Sequence, residues 1–140
     1  MFVKQISVFL ENKPGRLSSL TNALSEKDVD IFYITIAETG EYGVIRCVTK
    51  NNDKAVAVLQ AAGFTVSVTE LVGVEIGDKP GALNEVLQFL SDKGIQIEYL
   101  YSFSRDAGKR AAILMKIDDA EGAAKLLKKR GFNLITDLTK

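Results

Sequence analysis

The sequence predicts an α+β protein made of two tandem copies of one β-α-β-β-α-β unit, residues 1–69 forming the first copy and residues 70–140 the second. Three observations carry this. The chain aligns with itself, its hydrophobic period alternates between 2 and about 3.6 in the same order in each copy, and glycines and prolines interrupt both copies at matching places. A shift of 66 positions pairs Lys13-Pro14-Gly15-Arg16-Leu17 with Lys79-Pro80-Gly81-Ala82-Leu83, Leu24-Ser25 with Leu90-Ser91, Ile31 with Ile97 and Tyr33 with Tyr99. Further on the shift is 68, pairing Ile45 with Ile113, Asn51 with Asp119 and Gly63-Phe64 with Gly131-Phe132. The second copy therefore carries two extra residues, which belong in a loop.

Ile6, Val8 and Leu10 alternate with polar neighbours as a half-buried strand does, and Leu71–Ile76 is their counterpart. A Pro-Gly turn then breaks each pattern. Leu17, Leu20 and Leu24, matched by Leu83, Val86, Leu87 and Leu90, set a helical stripe. Ile31 to Ile36 and Ile97 to Phe103 are rich in β-branched and aromatic residues. Each leads through a Gly-containing turn (Glu38–Gly43, Arg105–Lys109) into Val44–Val48 or Ala112–Ile117, giving two hairpins with the insertion in the second turn. Ala55, Val58, Leu59 and Ala62 form the next stripe, as do Ala123, Leu126 and Leu127, and Gly63 and Gly131 stop these helices. Phe64–Val68 and Phe132–Ile135 close the copies. Units of this order and size imply a ferredoxin-like sandwich, an antiparallel sheet with both helices on one face. Strands apolar on both sides, such as the one holding Phe32, Ile34 and Ile36, predict that the other face is covered, by the two copies packing on one another, on a second chain or both, and a homo-oligomer, a dimer, is expected.

Composition excludes several function classes. The 18 basic and 18 acidic residues cancel, and the halves carry −1 and +1, so neither half is built for a polyanion. The chain has no His and one Cys, Cys47, which lies in an apolar strand. Catalytic residues, a metal site and a cofactor are therefore not expected. Lys13 and Lys79 precede Pro-Gly and do not follow a Gly-rich run, so no phosphate-binding loop is present. No stretch approaches the roughly 20 apolar residues that cross a bilayer, and Lys4, Gln5 and Ser7 interrupt Met1–Leu10, so no secretion signal is expected. A cytoplasmic protein without membrane contact is expected.

The polar feature repeated in full is the turn before the first helix, Asn12-Lys13-Pro14-Gly15-Arg16-Leu17 and Asp78-Lys79-Pro80-Gly81-Ala82-Leu83. Pro fits a first helical turn, Gly lets backbone approach a ligand, and free N–H groups at the positive end of a helix dipole favour an anion. Asn12 or Asp78 would accept from an ammonium group, so the turn offers partners for both ends of a free α-amino acid. The same residues have a purely structural reading, because Asn and Asp cap helices and Pro-Gly makes turns.

Through these turns, the helices that follow and the strand starts Val29-Asp30-Ile31 and Ile95-Gln96-Ile97, both copies resemble the ACT domain over nearly their whole length. The resemblance implies a regulatory module that binds an amino acid between paired domains. Asn12, Pro14, Gly15, Arg16 and Leu17, with Asp78, Pro80, Gly81, Ala82 and Leu83, fall on its turn side. Asp30, Ile31, Gln96 and Ile97 fall on its strand side. It further implies a free-standing tandem sensor that signals allosterically to a partner enzyme of amino-acid metabolism. Two alternatives share the fold. One is an interaction subunit that binds no ligand. The other is an RNA-binding module, against which stand the zero net charge and Val44 and Arg46 in place of stacking rings.

Overall fold

A computed structural model describes residues 2–138 and shows seven strands and four helices among them. In chain order these are β1 (Val3–Glu11), α1 (Arg16–Glu26), β2 (Ile31–Thr39), β3 (Tyr42–Thr49), α2 (Asn52–Ala61), β4 (Thr65–Gly77), α3 (Ala82–Asp92), β5 (Ile97–Asp106), β6 (Arg110–Ile117), α4 (Ala120–Arg130) and β7 (Asn133–Ile135). This is the β-α-β-β-α-β order twice. The chain divides into a first unit, Lys4–Thr69, and a second that begins at Glu70 and also takes in Phe2 and Val3. Phe64–Val68 and Leu71–Ile76, read as two strands in the sequence, are, apart from Phe64, parts of the single strand β4. No Gly or Pro lies between Thr65 and Val72 to stop it.

In the first unit β1 lies between β3 and β4, and β2 is the edge beyond β3. Ile6, Val8 and Leu10 pair with Cys47, Ile45 and Gly43 of β3. Their shared face meets Leu20 and Leu24 of α1 and Ala55 and Leu59 of α2 in one buried core. The second unit repeats the plan with β4 between β7 and β6 and with β5 at the edge. Val72 and Val74 pair with Met115 and Ile113, and these pack on Val86, Leu90, Ala123 and Leu127.

The two-residue insertion is resolved into two local devices. The first hairpin turns tightly, Thr39 facing Tyr42 across Gly40-Glu41. In the second, Asp106 faces Arg110 across three residues, and the register slips between Ser104 and Asp106. One extra residue thus lengthens the loop and one makes a bulge at Arg105. Helix N-caps also follow the repeat: Asn51 and Asp119 accept from the N–H groups of Lys54 and Gly122 at 3.1 and 3.0 Å. Among the described residues no helix is long and apolar enough to cross a membrane.

Candidate functional site

Each Pro-Gly turn is a type II β-turn. Arg16 N–H donates to the Lys13 carbonyl at 3.3 Å, and Ala82 N–H donates to that of Lys79 at 3.3 Å. Pro14 and Pro80 hold the second position. Gly15 (φ 88°, ψ −15°) and Gly81 (φ 89°, ψ −17°) hold the third, in the left-handed conformation that an L side chain strains. This corrects the sequence reading in one respect: the prolines precede the helices, and it is the glycines that occupy the N-cap positions. Each glycine carbonyl accepts the first helical bond, from Ser19 at 2.9 Å and from Glu85 at 3.0 Å.

Asn12 and Asp78 do not cap these helices. Asn12 donates its side-chain amide to the Gly40 carbonyl at 3.4 Å, and Asp78 accepts from Gly108 N–H at 2.8 Å. Both side chains tie the turn to the tip of the unit's own hairpin. Neither α1 nor α3 has a side-chain cap. The N–H groups of Leu17 and Ser18, and of Leu83 and Asn84, have no carbonyl four residues back within the helix. A Cβ built on Gly15 or Gly81 meets nothing within 4 Å among the described residues, so the turns stand open.

The two turns differ in charge. Arg16 is half-buried with its guanidinium 5.1 Å from the Phe64 ring centroid, whereas Ala82 is buried at the same place. A cation at a helix N-terminus opposes the dipole, and the ring offsets part of that cost. The buried Arg16 Nε has no hydrogen-bond partner among the described residues. Nearby, Glu11 and Lys13 pair at 2.8 Å. The Lys13 ammonium, with a smaller contribution from Arg16, holds the Glu11 carboxyl below its ordinary range. Leu17 is exposed, while Leu83 packs on its unit's core.

The strand-side residues lie at the other end of the same helix. Eleven residues separate the ends of α1, about 16 Å at 1.5 Å per residue. Asp30 accepts from Ile31 N–H at 3.0 Å and pairs with Lys50 at 2.8 Å, which holds its carboxyl below the usual value. Thr21, Ser25, Asp28 and Asp30 line a shallow polar groove there. The equivalent groove in the second unit is lined by Leu87, Ser91, Gly94 and Gln96 together with Ile95 and Ile97, and is mainly apolar. Sequence reasoning missed the helical members of both grooves, although Ser25 and Ser91 stand among the repeat identities. Within one unit, then, the turn residues form one cluster and the strand-start residues another, and the two do not meet. Cys47 is fully buried, and burial pushes its thiol up to about 11, so it is protonated at neutral pH and a poor nucleophile.

The comparisons with known proteins agree with this architecture. A solved protein from Bacteroides thetaiotaomicron is 36% identical over 100% of this chain and 97% of its own, with a TM-score of 0.92. The ligand-free regulatory subunit of aspartate kinase from Thermus thermophilus is 17% identical over 93% of this chain and 94% of its own, with a TM-score of 0.63. The aspartate kinase of Synechocystis contains the same fold, with a TM-score of 0.55 and 18% identity over 95% of this chain but 26% of its own length. At these last two identities the likeness is one of fold. No curated protein matches the sequence. The family described as the ACT domain pair matches residues 1–139, and with two such units in the chain, each with its open Pro-Gly turn, this protein belongs to the ACT domain pair family.

Proposed function

We propose that this protein binds a free amino acid at interfaces between paired ACT units and thereby regulates a partner enzyme of amino-acid metabolism, with a homodimer as its working form. The observation that carries the reading is the repeated type II turn, which in both units leaves the start of a helix uncapped and open above a left-handed glycine. A carboxylate placed there gains about 0.3–2 kcal/mol from the helix dipole, and charge-assisted hydrogen bonds from the N–H groups add to that. An ammonium group finds acceptors among the polar residues of the strand-start grooves, Asp30 and Ser25 in the first unit and Gln96 and Ser91 in the second. Because these clusters lie at opposite ends of one helix, a ligand the size of an amino acid touches both only when two units face each other. Such a ligand fixes the relative orientation of those units and shifts the affinity for a partner between two states.

Thermal melting against each of the twenty amino acids at millimolar concentration tests this. A ligand at about 100 times its Kd stabilises by ~2.7 kcal/mol, which moves the melting point by several degrees in units of this size. The expected result is a shift confined to one or two amino acids. No shift with any of them favours an interaction subunit that works without a ligand.

A further inference from the structure

We infer that the α3–α4 face of the second unit is a docking surface for an acidic amphipathic segment of another protein, which seats an apolar side chain between the helices and sets carboxylates on the cations around it. The inference goes beyond the reading above and stands whether or not an amino acid binds.

Lys93, Phe89, Phe132 and Arg130 form a continuous row on this face. The Lys93 ammonium lies 5.8 Å from the Phe89 ring centroid, the two rings are 5.7 Å apart at 58°, and the Arg130 guanidinium lies 5.7 Å from the Phe132 centroid. Phe89, Lys93, Leu126, Lys129 and Arg130 line a groove of about 280 Å³. Phe89, Leu126 and Phe132 are half-buried, and Lys93, Lys128, Lys129 and Arg130 are exposed. Among the described residues none of these four cations forms an ion pair. Glu121 of α4 is engaged by Lys125 at 3.8 Å, and Asp92 of α3 accepts from Gln88 at 2.9 Å.

The fold does not require this charge. Cations in a last helical turn complement the dipole, yet α2 of the first unit ends without any: Gln60, Ala61 and Ala62 stand where the second unit has Lys128, Lys129 and Arg130. Both helices nevertheless end in the same pair of bonds. Gly63 N–H donates to Gln60 and Phe64 N–H to Leu59, each at 3.0 Å, as Gly131 N–H does to Lys128 at 3.0 Å and Phe132 N–H to Leu127 at 3.1 Å. Phe89 likewise corresponds to Ala23. The second unit thus carries three cations and a ring that the first does without.

Charge and shape select the occupant. Unpaired cations around a half-buried apolar groove are complementary to carboxylates around an apolar side chain. The cation–ring contacts already hold Lys93 and Arg130 along the surface, so little side-chain freedom is lost when an acid meets them. Each ring has a cation over it and the other ring against it, unlike the open faces on which nucleic acid bases stack. Half-buried rings also do not project for insertion into a lipid surface.

Panning a displayed library of short random peptides against the whole protein tests this. The selected peptides are expected to share an apolar residue with Asp or Glu on both sides of it, and to bind the wild type in fluorescence anisotropy. Lys93→Glu/Arg130→Glu is expected to weaken that binding by about tenfold or more. Lys27→Glu/Lys54→Glu, the same change of charge at the first unit's helices, is expected to leave it unchanged. All four positions are exposed, and circular dichroism with a cooperative melt checks the fold; should the reversed pair fail to fold, Lys93→Gln/Arg130→Gln gives the same readout. A selection that yields no binder or binders without acidic residues, an affinity unchanged by the Lys93/Arg130 variant, or an equal loss in both variants overturns the inference. Tighter binding of an oligouridylate or of phosphatidylserine vesicles than of the selected peptides overturns it as well, in favour of a nucleic acid or a membrane.

Discussion

The two units share an element order, a strand plan and a helix-facing core, and they differ most on the sheet face turned away from the helices. On that face of the first unit Phe9 and Tyr42 stack with centroids 5.1 Å apart and remain 54% and 43% exposed. In the second unit the same diagonal holds Glu75 and Arg110, paired at 3.1 Å. Arg105, re-aimed by the hairpin bulge, reaches both Glu75 at 3.7 Å and the Leu138 carbonyl at 3.3 Å. Gly73, Leu114, Ile135 and Val3 close together beneath that polar layer, and all four are buried. The difference teaches that duplication preserved what the helix-side core demands. The far face was free to become an exposed aromatic patch in one unit and a covered apolar layer edged by ions in the other.

The largest effect that separates the faces is expected at the close-packed point of the second. Gly73 corresponds to Ser7, and a Cβ on Gly73 would lie 3.1 Å from atoms of Ile135, Leu114 and Val3. Gly73→Ser transplants the first unit's residue into a site with no room for it and is expected to cost about 1–3 kcal/mol. The reciprocal Ser7→Gly removes a half-buried hydroxyl that accepts from Gln5 at 3.3 Å, and is expected to cost no more than about 1 kcal/mol. Chemical denaturation of both variants measures the pair. Equal costs would mean that the two far faces are packed alike.

That asymmetry was only partly legible in the sequence. The strand and helix order was readable because the alternation of Ile6, Val8 and Leu10 and the stripe of Leu17, Leu20 and Leu24 are local patterns with fixed periods. The roles of Asn12 and Asp78 were not readable, because a residue beside a Pro-Gly turn caps a helix or ties a hairpin according to where the hairpin tip lies. That is a long-range fact, set here by Gly40 and Gly108. The unbroken run of β4 was hidden for the opposite reason: the repeat boundary at Thr69-Glu70 suggested a stop where the local sequence contains no stop signal. For the site, the repeat located both Pro-Gly turns. It gave no sign that turn and strand start stand at opposite ends of one helix, since that separation follows from the direction in which α1 and α3 cross their sheets.

A smaller effect is expected from the diagonal pair itself, with salt as the discriminator. Phe9→Ala removes a stacked contact that is half solvated, about 0.5–1 kcal/mol. Glu75→Ala leaves Arg105, whose side chain is 12% exposed, with the Leu138 carbonyl, about 1 kcal/mol after allowance for solvent screening. The costs are similar, but their causes are not. Raising ionic strength to about 1 M shortens the Debye length to roughly 3 Å, so the Glu75→Ala difference should shrink while that of Phe9→Ala persists. Melting curves of the two variants and the wild type at low and high salt read this directly, and a parallel response would remove the distinction between an ionic and an aromatic face.

The smallest effect concerns acid, and it too should fall on one unit. Asp30 and Glu11 are held below their ordinary values of 3.8 and 4.5, chiefly by hydrogen bonds and then by charge from Lys50 and Lys13 respectively. The second unit has Gln96 and Gly77 at these positions and cannot form either pair. A carboxyl whose folded pKa lies below its unfolded one binds fewer protons in the folded state. Its contribution is therefore present above the unfolded value and is lost as pH falls toward the folded one. Both pairs are fully solvated, so the effect is slight at neutral pH and takes the form of a slope. The melting temperature of the wild type should fall more steeply below pH 4.5 than that of the Glu11→Gln/Asp30→Asn variant, with the two curves converging in acid. Parallel curves would show that these ion pairs, although closed at 2.8 Å, add nothing by which the first unit differs from the second.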